Sequence, residues 1–113
     1  MIFSDSLKKN REFREVYKNG RSYANNCLVV YLLENNSQRN RLGISVSKKV
    51  GNSVVRHHLK RLIKESYRLH EEMFSSGLDI VAIARVGADK ADFHKIEVAL
   101  LHLMRLHNAI IRK

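Results

Sequence analysis

The chain has no proline and one cysteine among its 113 residues. Without proline, no helix is interrupted by a missing backbone N–H. One cysteine cannot close an internal disulfide, which fits a reducing compartment. Cys27 opens an apolar stretch and is expected to pack as a small hydrophobe. Long hydrophobic runs are also lacking. The longest covers residues 27–33, far short of the roughly 20 residues that span a bilayer, so no membrane partner is expected. The opening residues MIFSDSLKKN lack the apolar stretch of a signal peptide, so an intracellular, cytoplasmic protein is expected. No repeat or low-complexity segment stands out. The length suits one domain, residues 1–113, with a core that needs no disulfide or metal.

Acidic residues are scarce relative to basic ones: 11 Asp and Glu stand against 21 Lys and Arg, a net charge of +10. Such a balance points to a polyanion, with nucleic acid ahead of a membrane surface. The excess concentrates at residues 43–68, GISVSKKVGNSVVRHHLKRLIKESYR. From Lys48 to Arg68 there are seven Lys and Arg and one acid, Glu65. The cations are Lys48, Lys49, Arg56, Lys60, Arg61, Lys64 and Arg68.

Periodicity supplies the elements. Asn10 is a candidate cap for a helix over residues 11–18, in which Phe13, Val16 and Tyr17 share one face. Residues 21–24 and 27–33 read as strands. Residues 34–40 read as a polar loop without core residues. Leu42, Ile44 and Val46 alternate with Gly43, Ser45 and Ser47, the period of a half-buried strand. The basic helix follows, capped by Asn52 or Ser53 and running to about residue 74. Its predicted core face is Val55, Leu59, Leu62, Ile63, Ser66 and Met73, with the cations opposed. Residues 78–85 read as a buried strand. Asp89 is a candidate cap for a last helix over about 90–111, whose stripe is Phe93, Ile96, Leu100, Leu103, Met104 and Ile111. The order α-β-β-β-α-β-α predicts an α/β (α+β) two-layer sandwich with a small central mixed sheet and three helices. Strand 42–47, helix 54–74 and strand 79–85 form a candidate parallel crossover, which generic statistics make right-handed.

Catalytic groups are harder to find. No phosphate-binding or dinucleotide glycine pattern occurs. His70-Glu71-Glu72-Met73-Phe74 begins like a zinc-protease helix, but Phe74 stands where the second histidine is required. His57, His58, His94, His102 and His107 show no paired ligand spacing, so a structural zinc is not expected. Asp89 and Asp92 read either as a metal or acid pair or, preferably, as a helix first turn stabilised by its dipole. Asp79 starts a strand with no evident partner. The residues describe a binder more than a catalyst. The basic helix is suited to neutralising phosphates along one track. Gly51 permits a sharp bend, so Lys48, Lys49 and the helix N-terminus are expected to face one phosphate-rich site. Phe13, Tyr17 and Tyr31 are either core or a platform for single-stranded bases, which stack on exposed rings at about 1–3 kcal/mol each. Spacing alone favours core.

Residues 45–68, SVSKKVGNSVVRHHLKRLIKESYR, resemble the signature of the bacterial ribonuclease P protein component: a lysine pair, a glycine turn, and an Arg-Asn-Arg run followed by Lys-Arg on a helix. The resemblance extends to LKKNREFREVYKNGRSYAN at residues 7–25 and DIVAIAR at 79–85, most of the chain. This sequence departs from the pattern where Arg-Asn-Arg reads Arg56-His57-His58. An imidazole carries charge only in mild acid, so the contact at His58 is expected to be weaker at neutral pH. The resemblance implies a left-handed crossover, against the generic rule. It implies a protein that joins a catalytic RNA to remove the 5′ leader of precursor tRNA, with no protein catalytic residue and no other protein partner required. Mg²⁺ is then bound mainly by RNA, with none held by the protein alone. Lys48, Lys49, Arg56, Lys60, Arg61, Lys64 and Arg68 would bind RNA, and Phe13, Tyr17 and Tyr31 would line a cleft for the leader. A structural RNA-binding protein, such as a ribosomal one, and a protein-only nuclease using Asp79, Asp89 and Asp92 are the alternatives.

Overall fold

In a computed structural model, described for residues 1 and 3–111, three helices pack on one five-stranded sheet. The strands are β1 (Ser4–Ser6), β2 (Arg21–Ala24), β3 (Leu28–Glu34), β4 (Asn40–Ser45) and β5 (Leu78–Ala84). The helices are α1 (Asn10–Asn19), α2 (Ser53–His70) and α3 (Phe93–Leu106). Spatial order in the sheet is β1-β4-β5-β3-β2. The β1–β4 and β4–β5 pairs are parallel, and β5–β3 and β3–β2 are antiparallel. The mixed sheet and three helices agree with the expected α+β sandwich, and β4-α2-β5 is the parallel crossover.

Alternation along the strands divides the side chains between two faces. Leu28, Val30 and Leu32 of β3 and Leu78, Ile80, Ala82 and Ala84 of β5 meet α2 and α3. Leu59, Ile63 and Tyr67 of α2 and Ile96, Leu100, Leu103 and Met104 of α3 complete that core. The opposite face carries α1, where Leu7, Val16 and Val81 are buried with Phe13, Tyr31, Leu33 and Ile83 packed against them.

Several expectations change. A strand, β1, precedes α1: its polar sequence SDS gives no hydrophobic period, and only Ser4 is buried. The Ser4 hydroxyl lies 2.8 Å from that of Tyr67. Asn10 is the first residue of α1 and not its cap. Lys9 holds that position, and the Glu12 carboxylate accepts the Lys8 and Lys9 N–H groups at 3.1 Å, half of a capping box. Residues 34–40 do contain a core residue, Asn40. It is buried in β4, donates to the Ser75 carbonyl at 2.8 Å and accepts from Leu78 N–H at 2.9 Å.

Asn52 caps α2, accepting the Val55 N–H at 3.0 Å. The α-helix stops at His70, and a 3₁₀ turn covers Glu71–Met73. Met73 is therefore exposed, and Tyr67 takes the place in the core. Asp92, not Asp89, caps α3, accepting the Lys95 N–H at 2.9 Å, because residues 88–90 form a separate 3₁₀ turn. The helix ends before Asn108, whose φ of 60° reverses the chain. Ile111 thus leaves the stripe and is exposed, while its N–H bonds the Met73 carbonyl at 2.8 Å.

Candidate nucleic-acid interface

Two surfaces meet at the C-terminal end of β4. One is cationic. Residues 46–52 carry the chain from β4 into α2, and Lys48 and Lys49 stand exposed on this connection. Gly51 is needed for close approach and not for a left-handed bend: a Cβ there would lie 2.7 Å from Val55 Cγ1. Because α2 buries Leu59, Ile63, Ser66 and Tyr67, with Val55 and Leu62 packed beside them, its cations fall on the opposite side. Lys60, Arg61, Lys64 and Arg68 are exposed. At 3.6 residues per turn, Arg61, Lys64 and Arg68 fall within an arc of about 60° and span about 10 Å along the axis. Arg68 is the least available cation, because its Nε donates to Glu65 at 3.0 Å within a forked pair. Arg56 is half-buried, with Nε enclosed and unpartnered, so it stands apart from the exposed stripe. His57 and His58 lie on opposite flanks of the helix. His57 lines a groove toward β1 and β4, and His58 lines one toward α3.

The second surface is aromatic. Phe13 and Tyr17 project from α1 toward the sheet, with ring centroids 6.4 Å apart. Tyr17 meets Tyr31 of β3 edge-on at 5.1 Å. All three rings keep solvent-accessible surface: Tyr17 is exposed, and Phe13 and Tyr31 are half-buried. Gly43 lets the Phe13 ring lie directly against β4, since a Cβ there would stand 2.6 Å from a ring carbon. Burial raises the Tyr17 phenol above its ordinary value, opposed by a hydrogen bond with Ser45 and reinforced by Tyr31. Tyr17 therefore stays neutral at physiological pH and can donate. Ser45 ends β4, three residues before Lys48, so the rings and the lysines are joined by a short length of chain. Gly43 and Ser45 were not singled out from sequence as site residues. Their signal was the small-residue face of the alternating strand.

A third arrangement fixes α1. Asp79 is not partnerless. Arg41 of β4 grips it with two donors, Nε to Oδ1 at 2.8 Å and a terminal nitrogen to Oδ2 at 2.6 Å. Asn35 donates to Oδ1 at 2.9 Å. The other terminal nitrogen of Arg41 reaches Glu12 of α1 at 3.0 Å. The pairing with Asp79 raises the Arg41 value further, and hydrogen bonds from the Lys9 and Lys8 backbone, then Arg41, hold the Glu12 carboxyl below its usual range. Glu12 precedes Phe13, so the clamp sets the helix that presents the rings.

The carboxylates do not converge on a catalytic centre. Asp79 is held by Arg41, Asp92 caps α3, and Asp89 is exposed on a 3₁₀ turn. Among the described residues, no group of three His, Cys, Asp or Glu side chains is placed to hold a metal ion. Among the described residues, no helix is long and apolar enough to cross a membrane.

Known proteins match this chain in sequence and in fold. The Ribonuclease P family profile matches residues 3–107. The ribonuclease P protein component of Lachnoclostridium phytofermentans is 56% identical over 107 residues, 95% of this chain and 92% of that one. That of Alkaliphilus metalliredigens is 54% identical over 105 residues, covering 93% and 95%. The RNase P protein structure from Staphylococcus aureus superposes with a TM-score of 0.88 at 38% identity, covering 96% of this chain and 99% of that one. Sequence and fold agree, and the chain belongs to the ribonuclease P protein component family.

Proposed function

We propose that the chain is the protein subunit of the endoribonuclease ribonuclease P, docking on the catalytic RNA and holding the 5′ leader of precursor tRNA for removal. The observation that carries this reading is the junction of the aromatic cleft with the basic segment. Lys48, Lys49, Lys60, Arg61, Lys64 and Arg68 offer charge to phosphates without reading sequence. Arg56 contributes at the edge of that surface. Phe13, Tyr17 and Tyr31 give an extended single strand a place to stack, which a duplex cannot use. A structural RNA-binding protein would need the first surface but not the second, so that alternative is not favoured.

The reading gives the protein no nucleophile and no general base. Asp92, Asp79 and Asp89 do not fit a Mg²⁺ site, since they serve a cap, a clamp and an exposed turn in that order. Mg²⁺ held mainly by the RNA supplies the hydrolytic chemistry, and this chain binds, orients and neutralises charge. Such a role belongs in the cytoplasm, beside precursor tRNA. The test is cleavage of a precursor by the cognate RNA subunit at low Mg²⁺, with and without the protein. Faster cleavage is expected with protein present. No improvement, or a predominance of ribosomal RNA among co-purifying RNAs, would sink the proposal.

A further inference from the structure

The seam between α2 and α3 forms a half-open groove of about 350 Å³ that is separate from the aromatic cleft. Phe93, half-buried at the start of α3, and Leu62 of α2 give it apolar surface. His58, Arg61 and Lys64 line it from α2. The Glu65–Arg68 pair lies toward the C-terminal end of that helix and satisfies its own charges. Among the described residues, His58, Arg61 and Lys64 have no hydrogen-bond or ion-pair partner on the chain. An aromatic ring thus shares this groove with cations that make no direct bond among the described residues.

The size and chemistry restrict the occupant. The volume is at the low end of small-ligand pockets, roughly 300–1,000 Å³, and suits a single nucleotide. A ring and a leucine suit the face of an unpaired base, and a guanidinium and an ammonium suit its phosphates. His58 adds a flat group that donates and accepts, as a base edge requires. The longer arginine of the family pattern would offer donors only. We propose that the α2–α3 seam takes one unstacked nucleotide of the RNA partner, its base against Phe93 and Leu62 and its phosphates on Arg61 and Lys64. This rests on the reading of α2 as an RNA-docking helix, and it adds a point where that helix engages a base.

The test begins with the wild-type protein on its cognate ribonuclease P RNA, irradiated to form zero-length crosslinks that are mapped by mass spectrometry. A crosslink on His58 or on the tryptic peptide 91–95, which carries Phe93, is expected, joined to a single-stranded nucleotide. Phe93→Leu keeps an apolar filling and is expected to weaken RNA affinity about fivefold or more, the low end of base–aromatic stacking. The same nucleotide should become newly reactive to backbone acylation. Crosslinks confined to α1 and residues 46–52, with Phe93→Leu binding unchanged, would overturn the proposal. If Phe93→Leu loses its fold, the wild-type crosslink map decides alone. Failure of the wild-type protein to bind the RNA would instead remove the docking reading itself.

Discussion

The two faces of the sheet are built to different standards. The face under α2 and α3 is closed, with Val30, Ile80, Ile63, Leu100 and Leu103 all at 0% exposure. The face under α1 is open. A ten-residue helix whose one buried residue is Val16 cannot cover five strands. Beside the small cluster around Val16, Leu7 and Val81, it is held by a polar clamp and presents the partly exposed rings of Phe13 and Tyr17. Stability is therefore concentrated on one side of the sheet and ligand contact on the other, with β3 and β5 contributing alternate residues to both.

Four substitutions and one titration test that division. Leu100→Ala, on the closed face, is expected to cost about 2–5 kcal/mol in denaturant unfolding. A cost below about 1 kcal/mol would show that this face repacks freely. Arg41→Ala should cost about 2–3 kcal/mol, because it strands the buried Asp79 carboxylate, although water reaching the site limits the loss. It should also weaken precursor binding more than RNA-subunit binding, since α1 loses its anchor. Equal losses for both would make the clamp merely structural. Tyr31→Ala should remove about 1–3 kcal/mol of precursor affinity and leave mature tRNA binding in place. Parallel losses for the two tRNAs would point to a folding defect. Arg61→Ala should lower the salt slope of RNA binding by about one unit if it neutralises one phosphate, and an unchanged slope would take it off the contact surface.

The smallest effect concerns His107, buried on the closed side with its Nε2 at 2.8 Å from the Val30 carbonyl oxygen. Burial depresses its value below the ordinary 6.5, opposed by that hydrogen bond and reinforced by Arg21. The unfolded chain then takes up the proton first. The contribution is fully present above about pH 6.5 and is lost as pH falls through the lower folded value. Melting temperature should drop between about pH 7.5 and 5.5 in the wild type and drop less in His107→Gln. Identical slopes would clear His107 of the effect.

Local chemistry was readable from the sequence, and pairings across the sheet were not. Asn52 was among the predicted caps because a cap is decided by the next three residues. The sequence points to Asp89 as the cap, but Asp92 holds it, because the 3₁₀ turn at residues 88–90 delays the start of α3. Asp79 looked partnerless because its partner is 38 residues earlier, brought alongside by the β4–β5 register. Strand β1 is hidden for the same reason, since its polar residues pair with β4 36 residues on. The rings are the instructive case. Helical spacing alone favoured core for Phe13 and Tyr17, and the resemblance favoured exposure. The structure leaves them between, packed on one another and open on one side, because Gly43 lets α1 lie close over a strand with small residues.

The sheet order has a consequence for synthesis. Strand β5 lies between β4 and β3, yet it is the last strand to leave the ribosome. A nascent chain that ends before Leu78 has at most two separate strand pairs, β1–β4 and β2–β3, and no shared floor for any helix. Long-range pairing of this kind is slow, because loop closure must come before the contacts that reward it. Residues 78–84 are therefore the segment that joins the two strand pairs into one sheet.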